Sequence, residues 1–271
     1  VTDMLDWQTR VGDIWAEEWQ RTDRSFAHLS DRLNAAILAA APADGGRVLD
    51  IGCGAGATSL ALADARPGLA IMGIDLSAAL LAVARQRLPH ARFVQADAAL
   101  DPVDMRPDLI VSRHGVMFFA DPVAAFARLR QQAAADANLV FSCFGAVARN
   151  AFASDLVAAL FGQLPMPGKD YAPGPFAFAD PDRVAAILSA AGWRDATAEE
   201  VLFDYIAGEG DDPIADAVAF LSRIGPIARG IAAASVAERP GLVAHLTDHL
   251  ARYRVRNRVL LPACAYLWRA R

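Results

Sequence analysis

The 271-residue sequence has almost no lysine: Lys169 is the single one, so nearly every basic side chain is an arginine. Lysine-based Schiff-base or general-base chemistry is therefore nearly excluded, and a cation that recognises an acidic group must be an arginine. A basic excess is also missing. The formal net charge is −5, which leaves nothing to neutralise a phosphate backbone and argues against nucleic-acid binding. Cysteine is scarce. Cys53, Cys143 and Cys264 lie far apart without a C-x-x-C pair, so buried, reduced thiols are expected rather than a disulfide framework or a zinc site. No apolar run approaches the ~18 residues of a membrane helix. The first residues show no basic region followed by an apolar stretch, so no signal peptide is expected and a bacterial cytoplasmic location is. Hydrophobic residues make up 55% of the chain, too many for disorder at this low charge.

Several catalytic signatures are absent as well. No serine sits on a nucleophile elbow with a His/Asp set. Tyr-x-x-x-Lys is missing, because Pro165 stands four positions before Lys169; this counts against a short-chain dehydrogenase. His245 and His249 share a predicted helix face, but no further ligand set accompanies them. A solvated face is expected there, and no metal site. Arg252, Arg254, Arg256 and Arg258 alternate with other residues and are expected to form a polar edge.

What is present is alternation. Residues 7–41 read as two helices, with Trp15 and Trp19 one turn apart on one face. Short apolar runs then alternate with helical stretches: 48–51 and 58–65, 70–75 and 77–88, 92–96, 108–112 and 122–134, and 138–143. Continuous apolar runs belong to strands buried on both faces. The pattern predicts an α/β fold, a mostly parallel Rossmann-like sheet with helices on both faces. After residue 145 it breaks. Helices are expected over 150–161, 180–191, 214–221, 227–234 and 242–254, strands over 195–206 and 258–268, and a Pro/Gly-rich loop over 162–175. Alanine, roughly a fifth of the chain, is concentrated on the sheet-covering helices, where it favours helix and close packing. One structural domain is expected, with helices at 1–42, a ligand-binding core at 43–145, and the rest of the sheet with helical insertions at 146–271.

Chemistry concentrates at the strand ends. Asp50-Ile51-Gly52-Cys53-Gly54-Ala55-Gly56 is D-x-G-x-G-x-G at a strand-to-helix junction, where glycines let a ligand approach the backbone. A carboxylate before the first glycine repels a pyrophosphate and suits a cation, such as the amino group or sulfonium of S-adenosylmethionine. Asp75 ends the next strand, placed to accept ribose hydroxyls. Asp97 follows the third in Gln95-Ala96-Asp97-Ala98, placed for an adenine amino group. Successive strand ends fall on one edge of an open sheet, where such sheets bind ligands.

Residues 48–59, 73–77, 95–98 and 108–122 closely resemble the class I S-adenosylmethionine-dependent methyltransferases, in particular the bacterial small-molecule type that includes ubiquinone- and menaquinone-biosynthesis-like enzymes. The resemblance implies a seven-stranded sheet whose last strand, here 258–268, is antiparallel, and an N-terminal helical lid. It implies methyl transfer from S-adenosyl-L-methionine to a small-molecule acceptor, with S-adenosyl-L-homocysteine as product. The cofactor residues it implies are Asp50, Gly52, Cys53, Gly54 and Gly56 of the turn, Asp75 and Leu76, and Asp97 and Ala98. Ser112 and Arg113 join them after strand four, and Trp15 from the lid, where aromatic rings attract a sulfonium. His114 stands where the family more often has an aromatic such as phenylalanine. It is a candidate general base for a hydroxyl acceptor or a lining ring. The same segment lacks Asn/Asp-Pro-Pro-Tyr/Phe, which argues against nucleobase or glutamine methylation. A catalytically silent cofactor-binding protein and a nicotinamide oxidoreductase remain the alternatives.

Overall fold

A computed structural model describes residues 8–42, 45–162 and 171–271. Trp7, Pro165 and Lys169 lie outside them. The core alternates as the apolar runs predict: β1 (Arg47–Ile51), α4 (Ala57–Ala65), β2 (Ala70–Asp75), α5 (Ala78–Arg87), β3 (Arg92–Gln95), β4 (Leu109–Arg113), α6 (Pro122–Gln132) and β5 (Asn138–Phe144). Local chemistry starts the helices. Ser77 Oγ accepts from Leu80 N–H at 3.2 Å, and Asp121 accepts from Ala124 N–H at 3.0 Å ahead of Pro122.

The sheet order is β3-β2-β1-β4-β5-β8-β6, with β6 at Thr197–Glu209 and β8 at Arg258–Ala270. β1 pairs in parallel with both β2 and β4, so the strand order reverses between β1 and β4. That reversal opens a crevice at the carboxyl ends of these strands. β8 runs antiparallel to β5 on one side and to β6 on the other, as expected of the last strand. A two-residue strand, β7 (Arg254–Val255), adds to β8. Leu109, Ile110 and Val111 of the central β4 are fully buried, as a strand covered on both faces requires.

Outside the core the structure departs from the periodicity. Among the described residues the stretch expected as two N-terminal helices breaks into α1 (Arg10–Glu17), α2 (Trp19–Ser25) and α3 (Ala27–Ala40). The first break falls at Glu18, a buried carboxylate that binds Arg21 at 2.9 Å and Arg223 at 3.2 Å. Trp15 and Trp19 therefore lie on different helices. Of the stretch 150–161, residues 151–154 form turns, and only α7 (Asp155–Phe161) is helical. Buried Asn150 explains this. Its amide donates to Ala146 O at 2.9 Å and accepts from Cys264 N–H at 3.1 Å, binding the loop to β8. Among the described residues that follow are the α-helices α8 (Pro181–Ala190), α9 (Pro213–Leu221), α10 (Gly225–Ala233) and α11 (Arg239–Leu250). His249 does not lie on a solvated face; with Tyr253 it closes on Asp155, both at 2.6 Å. Among the described residues no helix is long and apolar enough to cross a membrane.

Candidate active site

β1 delivers Asp50 to the crevice, and its side chain is 1% exposed. Ser59 Oγ donates to Oδ2 at 2.7 Å. Oδ1 is buried with no partner among the described residues. Burial raises the carboxyl pKa to about 7, because an ion there is poorly solvated. An orphaned carboxylate oxygen is satisfied by a cationic or N–H-bearing ligand group.

The glycine turn lies beside it. Gly52 takes φ +59°, and a Cβ there would sit 3.0 Å from Gly115 Cα. The turn and the loop after β4 therefore touch backbone to backbone, which only glycines permit. Gly54 takes φ +54° with open space where a Cβ would be. Its N–H donates to Asp75 Oδ2 at 2.8 Å, and Ser77 N–H donates to Oδ1 at 2.9 Å. Asp75 is half-buried, and burial raises its pKa. Each of its oxygens keeps a lone pair for a further donor. Asp97 Oδ1 accepts from Ala99 N–H at 2.8 Å, and Ala98 is buried. Leu76 is half-buried, and its carbonyl accepts from Gln95 Nε2 at 2.9 Å. The three aspartates thus stand at the carboxyl ends of adjacent strands, around an open glycine turn.

Other predicted residues are placed differently. The Cys53 thiol packs with Leu81, Ala84 and Phe93 behind the turn, so only its backbone faces the crevice. Ser112 also turns inward, donating to Ile51 O at 2.7 Å and accepting from Gly115 N–H at 3.1 Å. Its hydroxyl shapes the loop. Arg113 reaches across to α2 and binds Asp23 at 2.6 Å. Trp15 packs, partly buried, against the core. The guanidinium of Arg87 lies 4.2 Å above the Trp19 ring. Trp19 thus already holds a cation.

His114 has φ +59°, uncommon for a residue with a side chain. Its Nδ1 meets Ser142 Oγ at 2.9 Å, and its backbone N–H donates to Ser142 O at 3.1 Å. Burial, reinforced by the Arg113 charge, lowers its pKa to about 3. The ring is therefore neutral near pH 7 and a weak proton acceptor.

Sequence reasoning missed Ser59, Gly115 and Asp23. Asp23 binds Arg113 with one oxygen and Arg87 with the other, at 2.6 and 2.9 Å. Arg87 also donates to Ala55 O in the glycine turn at 2.8 Å. These residues are close only once the sheet has formed, so no spacing marks them. A groove of about 810 Å³ opens elsewhere, between Asn138, Arg194, Thr197 and Arg269 near the amino end of β5; none of the candidate residues lines it. Among the described residues no cluster of three metal-ligating side chains occurs.

A parallel sheet reversing at β1/β4, with acids at successive strand ends around D-x-G-x-G-x-G, is the Rossmann-like architecture of a methyltransferase fold. Residues 48–135 match the family model described as a methyltransferase domain. The chain is similar to a trans-aconitate 2-methyltransferase from Delftia acidovorans, 40% identical over 113 residues, covering 40% of this chain and 42% of that protein. Its namesake from Methylobacterium nodulans is 36% identical over 131 residues, covering 48% and 47%. The matched segments thus span less than half the length of these curated relatives. Phosphoethanolamine N-methyltransferase 2 of Haemonchus contortus, solved with S-adenosyl-L-methionine, shares the fold: TM-score 0.55 at 19% identity, covering 100% of this chain and 60% of that one.

Proposed function

We propose that this protein transfers the methyl group of S-adenosylmethionine to a small-molecule acceptor. The observation that carries the reading is the buried, half-satisfied Asp50 carboxylate, in one crevice with Asp75, Asp97 and the open Gly54 turn. When bound, the cofactor supplies a methyl already activated by its sulfonium. The residues' tasks are to bind, align and exclude water. Asp50 takes the amino group, Asp75 the ribose hydroxyls and Asp97 the adenine amino group, with Leu76 and Ala98 beside the base. Gly52, Gly54, Gly56 and the Cys53 backbone bring the chain against the ligand, and Ser112 and Arg113 support the methionine end. Helices α1 and α2, with Trp15, form the lid. The surroundings of His114 favour lining the acceptor side over general-base catalysis, because burial holds the imidazole neutral.

Calorimetry with S-adenosylmethionine, S-adenosylhomocysteine and NAD tests the cofactor. Binding of NAD alone overturns the proposal and favours the oxidoreductase. Methyl-labelled cofactor with fractionated cell extract, and with trans-aconitate because the curated relatives carry that name, then tests transfer. Tight cofactor binding with no labelled product in any fraction points instead to a silent binding protein.

A further inference from the structure

A box of aromatic rings closes over the carboxyl ends of β4 and β5. His114 contributes one wall. Phe144 at the end of β5 meets it edge-on at 4.2 Å, and Phe26, between α2 and α3, lies 4.8 Å away. Phe152 and Phe176 stand 5.1 and 5.4 Å from Phe144, and Tyr205 of β6 stacks on Phe152 at 4.9 Å. Phe26, Phe144, Phe152 and Tyr205 are buried, while His114 and Phe176 are half-buried. One polar atom in this box is unsatisfied: Nε2 of His114 is buried with no hydrogen-bond partner among the described residues, whereas Nδ1 is held by Ser142.

The charges around the box are already matched. Arg113 lies 5.5 Å over the Phe26 ring, but Asp23 holds it. Arg24 pairs its charge with Asp216 at 2.6 Å and donates to Ala207 O at 3.0 Å, although its buried Nε has no partner among the described residues. An anionic acceptor entering here would lose its water and find these arginines already paired, which is strongly unfavourable. A flat, uncharged molecule gains ring-to-ring contact at no such cost.

Building on the methyltransferase reading, we propose that the acceptor is an uncharged, ring-bearing small molecule that hydrogen-bonds Nε2 of His114 through one polar group and packs between Phe26, Phe144 and Phe176. Phe26 belongs to the N-terminal helices and not to the sheet.

The test uses the full chain. Calorimetry first measures S-adenosylhomocysteine binding. Phenol, 2-naphthol and citrate are then titrated into the protein saturated with S-adenosylhomocysteine. The expected result is that 2-naphthol binds and citrate does not, and that His114→Phe, equally saturated, binds 2-naphthol at least tenfold more weakly. Failure to bind S-adenosylhomocysteine overturns the methyltransferase reading itself. If S-adenosylhomocysteine binds but neither ring hydroxyl does, or citrate binds as well as 2-naphthol, that reading stands and the acceptor class is overturned. Equal 2-naphthol affinity in wild type and His114→Phe removes the Nε2 anchor. The wild-type contrast between 2-naphthol and citrate decides the acceptor class even if the variant does not fold.

Discussion

Asp50 couples the candidate site to pH. In the unfolded chain a carboxyl loses its proton near about pH 4, but in the fold Asp50 keeps it until about 7. Between those values the native state holds the extra proton, so stability falls as pH rises through that window. Asp50→Asn, which cannot ionise, is expected to flatten this part of a stability–pH curve measured by chemical denaturation. A cation on Oδ1 favours the ionised form, so cofactor affinity should rise as pH passes about 7. Asp75→Ala is expected to weaken S-adenosylhomocysteine binding by more than about tenfold, through loss of charge-assisted hydrogen bonds. Unchanged affinity in calorimetry would mean that the ribose lies elsewhere. These aspartates were legible in the sequence because each follows an apolar run beside a turn signal. Ser59 and Asp23 were not, because their roles depend on partners brought near by the sheet. Nor does the strand-four motif say which way Ser112 points. Its inward turn follows from the need to satisfy Ile51 O and Gly115 N–H in a dry loop.

The N-terminal helices are held down by ion pairs along α2. Asp23 ties the helix to Arg87 of α5 and Arg113 of β4, while Arg21 and Arg24 bind Asp216 of α9 at 2.8 and 2.6 Å. Removing Asp23 leaves two partly buried guanidinium groups without their shared acid. Asp23→Ala should therefore destabilise the α1–α2 segment by about 1–3 kcal/mol. Hydrogen exchange is expected to show faster exchange over residues 10–25, with β1 and β4 unchanged. Uniform acceleration across the chain would show that Asp23 supports the whole fold instead. Helical periodicity revealed that this segment was helical but not where it breaks. Glu18 is pinned by Arg223 from beyond α9, and no local pattern carries that information. Turns at 151–154 escaped for the same reason, since Asn150 is committed to a β8 backbone N–H.

At the scale of the whole molecule, the alternation of runs makes a mostly parallel sheet legible, while right-handed βαβ connections narrow its strand order without fixing it. That β8 runs antiparallel is an expectation of the family resemblance, and its insertion between β5 and β6 is not legible in the sequence. A ligand that fills the β1/β4 crevice binds the native state alone. S-adenosylhomocysteine at about a hundred times its Kd should add about 2.7 kcal/mol and raise Tm by about 5 °C or more in differential scanning. NAD at the same concentration should not. The position of β8 also bears on how the protein is made. β6 is complete before β8 leaves the ribosome, yet β8 is its sheet partner and stands between it and β5. During synthesis both strands wait with an unpaired edge, and the helices of residues 213–250 wait with them. The nascent chain is therefore most open to chaperones, proteases and misassociation just before β8 emerges, well after β1 to β5 have been translated.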